Sequence, residues 1–375
     1  MDVIDYIEKK KYIQKAVLDF IDCNENNEES YENLSFFIEE QYDQENRCEL
    51  KIILRLILEI ASNNYRNSAF FNKIDQIIIA LKNQIMHLFS NYEIFYIFKG
   101  NKRILLLLFK EKILNFEPSI FYTIMNGKYQ KANYPSYFFP EIKTFYEEKL
   151  KNENDKKKSI LFYKNCQLIN KDYDLFELNR KNGLNEEQIC ELIRNDCLEE
   201  FISFIQNNQI RMTTTIKPSI FETNNFLHDK ECTLIEYATF YGSINIFTYL
   251  SKNKVELTES LWLFAAHNRN TNLITLLIDL NAKRRKETYQ KCLAESIKCH
   301  NFIITDFIKY NLMNDQQKEI NNDVHQCLKY YNFCFLPNEF LNANDIFYDC
   351  CKYDYLNLVR YLYQIMDLNI NDKQI

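Results

Sequence analysis

The stretch Thr233-Leu234-Ile235-Glu236-Tyr237-Ala238-Thr239-Phe240-Tyr241-Gly242-Ser243-Ile244-Asn245-Ile246-Phe247-Thr248-Tyr249-Leu250 decides the fold, because its order returns in weakened form at residues 260–277. Laid over one another without gaps, the two segments align Ala238 with Ala265, Asn245 with Asn272, Ile246 with Leu273, Phe247 with Ile274, Thr248 with Thr275 and Leu250 with Leu277. Each reads as a short helix, a tight turn and a second apolar helix. A unit of that size leaves apolar faces uncovered unless it stacks on neighbours, so the pattern predicts a helix-turn-helix solenoid that offers surface for binding.

Working outward, equivalent turns fall at Asp196, Gly242, Arg269, His300, Asn332 and Asp354, and the first helix of the array opens at Glu187-Gln188-Ile189-Cys190. The wide first interval holds an inserted loop at residues 207–231, which carries Pro218. The narrow last interval marks a degenerate unit around Asn332, with Pro337 inside it.

Before the array, apolar residues at Ile74, Ile77, Ile78, Leu81, Ile85 and Leu88 make one helical stripe, and residues 50–60 are apolar on most sides. Pro135 and Pro140 interrupt helix, leaving Tyr137, Phe138 and Phe139 to plug the packing between flanking helices. Polar breaks fall at residues 24–29 and 147–159. With 4 Gly and 5 Pro in 375 residues, β-turns are few and helices many. The expected fold class is all-α: an N-terminal helical domain over residues 1–186, then the array over residues 187–375, with short hairpin loops as the extended structure.

A net charge of −6 without a basic stripe argues against nucleic acid as the partner. Lys156-Lys157-Lys158 lies too close to Glu153 and Asp155 to change that. The N-terminus is acidic and no apolar signal core follows it, and the densest apolar run, residues 104–109, is far shorter than a membrane span. These features predict an intracellular, cytoplasmic protein with no integral membrane span. The 12 Cys then read as reduced thiols filling small apolar spaces. Cys190 and Cys197, Cys292 and Cys299, and Cys327 and Cys334 share a spacing of two helical turns, about 10 Å along one face. That is too far for one metal ion.

The quoted stretch resembles the ankyrin repeat: Thr233, Ala238, Gly242 and Leu250 match the family pattern, while Leu234 stands for its Pro and Glu236 for its His, which weakens the usual cap. Cys350-Cys351, Asp354, Asn357, Leu358, Val359, Tyr361 and Leu362, followed by Asn369-Ile370-Asn371, resemble a last full unit and its outgoing hairpin. Lys217-Pro218-Ser219-Ile220-Phe221-Glu222-Thr223-Asn224, Ser260-Leu261-Trp262-Leu263 and Ser296-Ile297-Lys298-Cys299-His300 are similar to segments of a large group of protozoan ankyrin proteins whose N-terminal helical region has no assigned function. The resemblance implies a general binding role and brings no catalytic residue or cofactor.

No Gly-rich phosphate loop is possible with Gly100, Gly127, Gly183 and Gly242 so scattered, and none of the 5 His stands in a catalytic context. The expected function is therefore non-enzymatic: an adaptor or scaffold binding a protein partner, with a tether to membrane or cytoskeleton, or a substrate receptor of a larger enzyme assembly, as the alternative. In an ankyrin-like unit the two residues before each turn face the concave binding surface. Here they are Phe240 and Tyr241, His267 and Asn268, Lys298 and Cys299, and Lys352 and Tyr353. Phe240 and Tyr241 either anchor a partner or pack beneath the inserted loop. The cluster Lys283-Arg284-Arg285-Lys286 reads as a solvated loop tip. The last unit has no following neighbour, so Leu358, Tyr361, Leu362 and Ile365 are expected to form an exposed face that frays or takes a partner.

Overall fold

The computed structural model describes residues 3–23, 32, 34, 47–64, 66, 69–126, 129, 133–149, 172–313, 320–336 and 344–365. Among them the chain is mostly helical, and its strands are two short ones. The helices are α1 (Val3–Asp22), α2 (Arg47–Asn63), α3 (Phe70–Ala80), α4 (Lys82–Leu88), α5 (Asn91–Phe98), α6 (Lys102–Lys110), α7 (Pro118–Met125), α8 (Tyr134–Tyr137), α9 (Phe139–Lys149), α10 (Tyr173–Asn182), α11 (Gln188–Arg194) and α12 (Leu198–Asn207). After β1 (Thr215–Ile216) and β2 (Cys232–Thr233) come α13 (Leu234–Tyr241), α14 (Ile244–Lys252), α15 (Leu261–His267), α16 (Thr271–Asp279), α17 (Thr288–Lys298), α18 (Phe302–Phe307), α19 (Ile320–Lys329), α20 (Asn344–Lys352) and α21 (Leu356–Ile365). The strands pair antiparallel, Thr215 opposite Thr233 and Ile216 opposite Cys232. Of the polar break expected at 147–159, residues 147–149 instead continue α9 to Lys149; the rest of it, the break at 24–29, Pro337 and the outgoing hairpin at 369–371 lie outside the described residues.

The apolar stripes are buried as their spacing requires. Ile74, Ile77, Ile78, Leu81 and Ile85 are all enclosed, but the helix breaks at Leu81, separating α3 from α4. Residues 50–60 bury every one of their Ile and Leu side chains. Tyr137, Phe138 and Phe139 fill the expected plug, with the Phe138 ring edge-on to Phe109. A buried cation absent from the sequence reading locks that plug: Arg180 grips Glu141 with two parallel hydrogen bonds, and its carbonyl accepts the Tyr137 hydroxyl at 2.9 Å. The eleven described cysteines are free, six of them buried, and Cys351 alone among them is exposed.

Packing groups the chain differently from a cut at residue 186. One compact unit comprises residues 1–60, 64–80 and 286–375, and the other residues 61–63 and 81–285. The first unit therefore joins N-terminal helices to the C-terminal helix pairs. Gln14 of α1, fully buried, donates through Nε2 to His300 Nδ1 and to Asn332 Oδ1, both at 2.8 Å, and accepts the Cys334 N–H at 3.0 Å. Where other pairs have a second helix after the turn, the chain following α19 makes only a short 3-10 turn, Phe333–Phe335, and α1 packs on it. Lys51 of α2 pairs with Asp354 at 2.8 Å, and Glu49 accepts from Asn357 Nδ2 of α21. Leu358 and Leu362 are buried and Tyr361 half-buried, which corrects the expectation of an open apolar face; the Ile365 side chain lies outside the described residues.

Candidate functional site

The site is built on the turns between paired helices. At Asp196, Gly242, His300, Tyr331 and Asp354 the backbone is left-handed, with φ from 52° to 73°. In each case the N–H of the next residue bonds the carbonyl four residues before the left-handed one, as in Cys197 to Leu192, Ser243 to Ala238, Asn301 to Ser296, Asn332 to Cys327 and Tyr355 to Cys350. This closure satisfies carbonyls that the helix end leaves without partners. The turn assigned to Asn332 is thus centred one residue earlier, on Tyr331. At Arg269 there is no left-handed residue. Asparagine side chains replace it: Asn268 Oδ1 accepts the Asn270 N–H at 2.7 Å, and Asn270 Oδ1 accepts the Asn272 N–H at 3.0 Å.

A second bond ties pair to pair. The side chain after the left-handed residue reaches the carbonyl three residues before the left-handed residue of an earlier turn: Ser243 Oγ to Ile193, Asn332 Nδ2 to Ile297 and Tyr355 Oη to Leu328. Asp196 adds a cap, its carboxylate accepting the N–H groups of Asn245 and Ile246 at the start of α14. Glu236, expected to weaken the first-helix cap, instead completes it. Its Oε2 accepts the Thr233 N–H at 2.8 Å while Thr233 Oγ1 accepts the Glu236 N–H, and its Oε1 takes the Ser260 hydroxyl.

The residues just before the turns fall into two sets. In the unit of residues 81–285, Phe240, Tyr241, His267 and Asn268 are all buried. The inserted loop covers Phe240 and His267. Phe226 stacks on Phe240, meets the Phe264 ring edge-on at 4.8 Å, and lies 4.3 Å from the His267 ring, with Lys230 Nζ above both Phe226 and Phe264. Thr223 anchors the loop by donating N–H and hydroxyl to the Gly183 carbonyl. Phe240 and His267 thus lie beneath the inserted loop, while the Tyr241 ring packs on Tyr237 and Phe240. Nearby basic side chains are engaged as well: Lys283 pairs with Glu256, and Arg285 with Glu259.

In the other unit the corresponding positions other than Cys299 are less enclosed. Lys352 is exposed, and Tyr353 and Lys298 are half-buried. The corrected turn at Tyr331 adds Lys329 and Tyr330, also half-buried, which the sequence reading missed; a lysine two residues before each turn was the signal. Lys298 is opposed by burial, yet Glu295 at 2.8 Å overrides that and raises its pKa above the ordinary value, so it stays charged. Lys329 Nζ lies 5.0 Å from the Tyr330 ring centre, and Lys352 Nζ 5.4 Å from Tyr353 and 5.7 Å from Tyr348. Cys299 is buried, and burial pushes its thiol far above the usual range, which makes it a core residue.

Among the described residues no helix is long and apolar enough to cross a membrane. No family model, curated protein or solved structure matches the chain.

Proposed function

We propose that this chain is a non-enzymatic protein-interaction module of ankyrin type, and that its binding surface is the row of turn-adjacent side chains on α17, α19 and α20. The observation that carries the reading is the pair-to-pair bond from the residue after one turn to the carbonyl before another, repeated at Ile193, Ile297 and Leu328. A bond recurring at one register position is what stacked repeats require, since each unit contacts only its neighbours. The free thiols suit a reducing, cytoplasmic setting.

The test uses the full chain, because a fragment starting at residue 187 would lose Gln14 and Glu49 from beneath the C-terminal pairs. A variant carrying Lys298→Ala, Lys352→Ala and Tyr353→Ala is compared in affinity capture with a control changed at Ile303 and Tyr310, two exposed positions away from the turn-adjacent row. A partner held by the wild type and the control should be lost from the first variant by about tenfold or more, as expected where a few residues dominate an interface. Identical capture by all three proteins would refute the reading.

A further inference from the structure

The open positions specify the chemistry of the partner. Lys298, Lys329 and Lys352 each stand two residues before the left-handed residue of a turn, at His300, Tyr331 and Asp354. The bonds from Asn332 to Ile297 and from Tyr355 to Leu328 hold α17, α19 and α20 in that common register, and α19 packs against both of the others. The three lysines therefore occupy equivalent positions in one row, stepping on the order of 10 Å, the usual separation of packed helices. Lys329 and Lys352 form no ion pair among the described residues and rest beside tyrosine rings instead. Such lysines are held in place while keeping their charge available.

We propose that this row binds an acidic segment of a protein partner, an extended chain carrying a carboxylate at about every third residue; the proposal rests on the interaction-module reading above. An extended chain in the polyproline II form advances about 3.1 Å per residue with about three residues per turn, so every third side chain lies on one face and one turn matches one step of the row. Tyr330, Tyr348 and Tyr353 offer ring faces to the side chains between the carboxylates. Nucleic acid fits less well. Its phosphates are dense, whereas the lysines form a single file spaced on the order of 10 Å.

The experiment is fluorescence anisotropy at low salt with the full chain and a labelled synthetic peptide of Glu at every third position among Ala and Ser. Controls are the same peptide with Gln for Glu, an oligothymidylate competitor, and the variants Lys329→Gln/Lys352→Gln and Lys329→Arg/Lys352→Arg. The Glu peptide should bind, with added salt weakening it. The Gln peptide and the Gln variant should each lose about tenfold in affinity, and the Arg variant should keep it. Absent binding of the Glu peptide, equal binding of the Glu and Gln peptides, an unchanged Gln variant, or displacement by oligothymidylate at lower concentration than by unlabelled peptide would overturn the proposal. The peptide comparison stands even if a variant misfolds. Hydrogen exchange on the same sample separates the two levels: protected amides at Asn332 and Tyr355 with no acid selectivity refute only this proposal, whereas unprotected ones refute the stacked module itself.

Discussion

Replacing Gln14 by Leu is expected to destabilise the unit formed by residues 1–60, 64–80 and 286–375 by about 2–5 kcal/mol, since two buried polar groups and one part-buried one would lose their partners at about 1–3 kcal/mol for each buried group. Those groups are His300 Nδ1, Asn332 Oδ1 and the Cys334 N–H. Leucine matches the volume of glutamine, so the loss is one of hydrogen bonding and not of packing. The network also fixes a protonation state. Because Gln14 Nε2 can only donate, His300 Nδ1 must accept, and the ring proton sits on Nε2. Burial lowers the His300 pKa to about 3. A free histidine titrates near 6.5, so between about pH 6.5 and 3 the unfolded chain holds one proton more than the folded one. This contribution to stability is complete above about pH 6.5 and falls by about 1.4 kcal/mol per pH unit as acid is added, down to the folded pKa. Denaturant melts of the wild type and Gln14→Leu at pH 7 measure the first effect. Comparison of His300→Phe with the wild type from pH 7 to 4 measures the second, and the wild type should show the steeper acid loss. Equal midpoints for Gln14→Leu and wild type would remove the network from the account.

Gly242→Ala is expected to cost about 2–4 kcal/mol, combining the strain of a side chain in the left-handed region with a steric clash. The φ of Gly242 is +73°, and a Cβ there would lie 2.1 Å from Asn268 Nδ2. Asn268 cannot simply swing away, because it accepts the Asn270 N–H and approaches the Phe240 carbonyl, which is how the turn after α15 does without a left-handed residue of its own. The clash and the strain are separable. In a Gly242→Ala/Asn268→Ala double variant the steric part vanishes, so the double should be less destabilised than the sum of the singles, by about 1 kcal/mol or more. Strict additivity, measured by thermal or urea unfolding, would show that the two residues do not meet.

The helix pairs were legible because apolar spacing and turn residues are local signals. Asp196, Gly242, His300 and Asp354 could be placed from the sequence, and all four are left-handed. Tyr331 was displaced to Asn332 because a bulky aromatic residue rarely adopts positive φ while asparagine often does. Glu236 was misjudged by comparison with the histidine of a family pattern, although Thr233 followed three residues later by a glutamate is itself a cap signature. Coverage of Phe240 and His267 depended on where Phe226 of the inserted loop would land, and a lone aromatic residue in a polar loop carries no periodicity to reveal that. The contacts of Gln14 and Glu49 with residues about three hundred positions later left no trace in local pattern at all. For the same reason the division of the chain at residue 186, natural from composition, differs from the grouping made by packing.

That the C-terminal helix pairs are closed from within by α1 and α2 is the claim on which the open lysine row depends, for a fraying end could not hold Lys352 in register. Leu358 and Leu362 of α21 are each 1% exposed, burial worth about 1.5–3 kcal/mol per side chain. Hydrogen exchange of the amides of residues 356–364 in a dilute solution of the whole 375-residue chain tests this directly. The account predicts protection comparable to that of α17, falling sharply in Gln14→Leu; exchange at the rate of an unstructured chain in the wild type would contradict it.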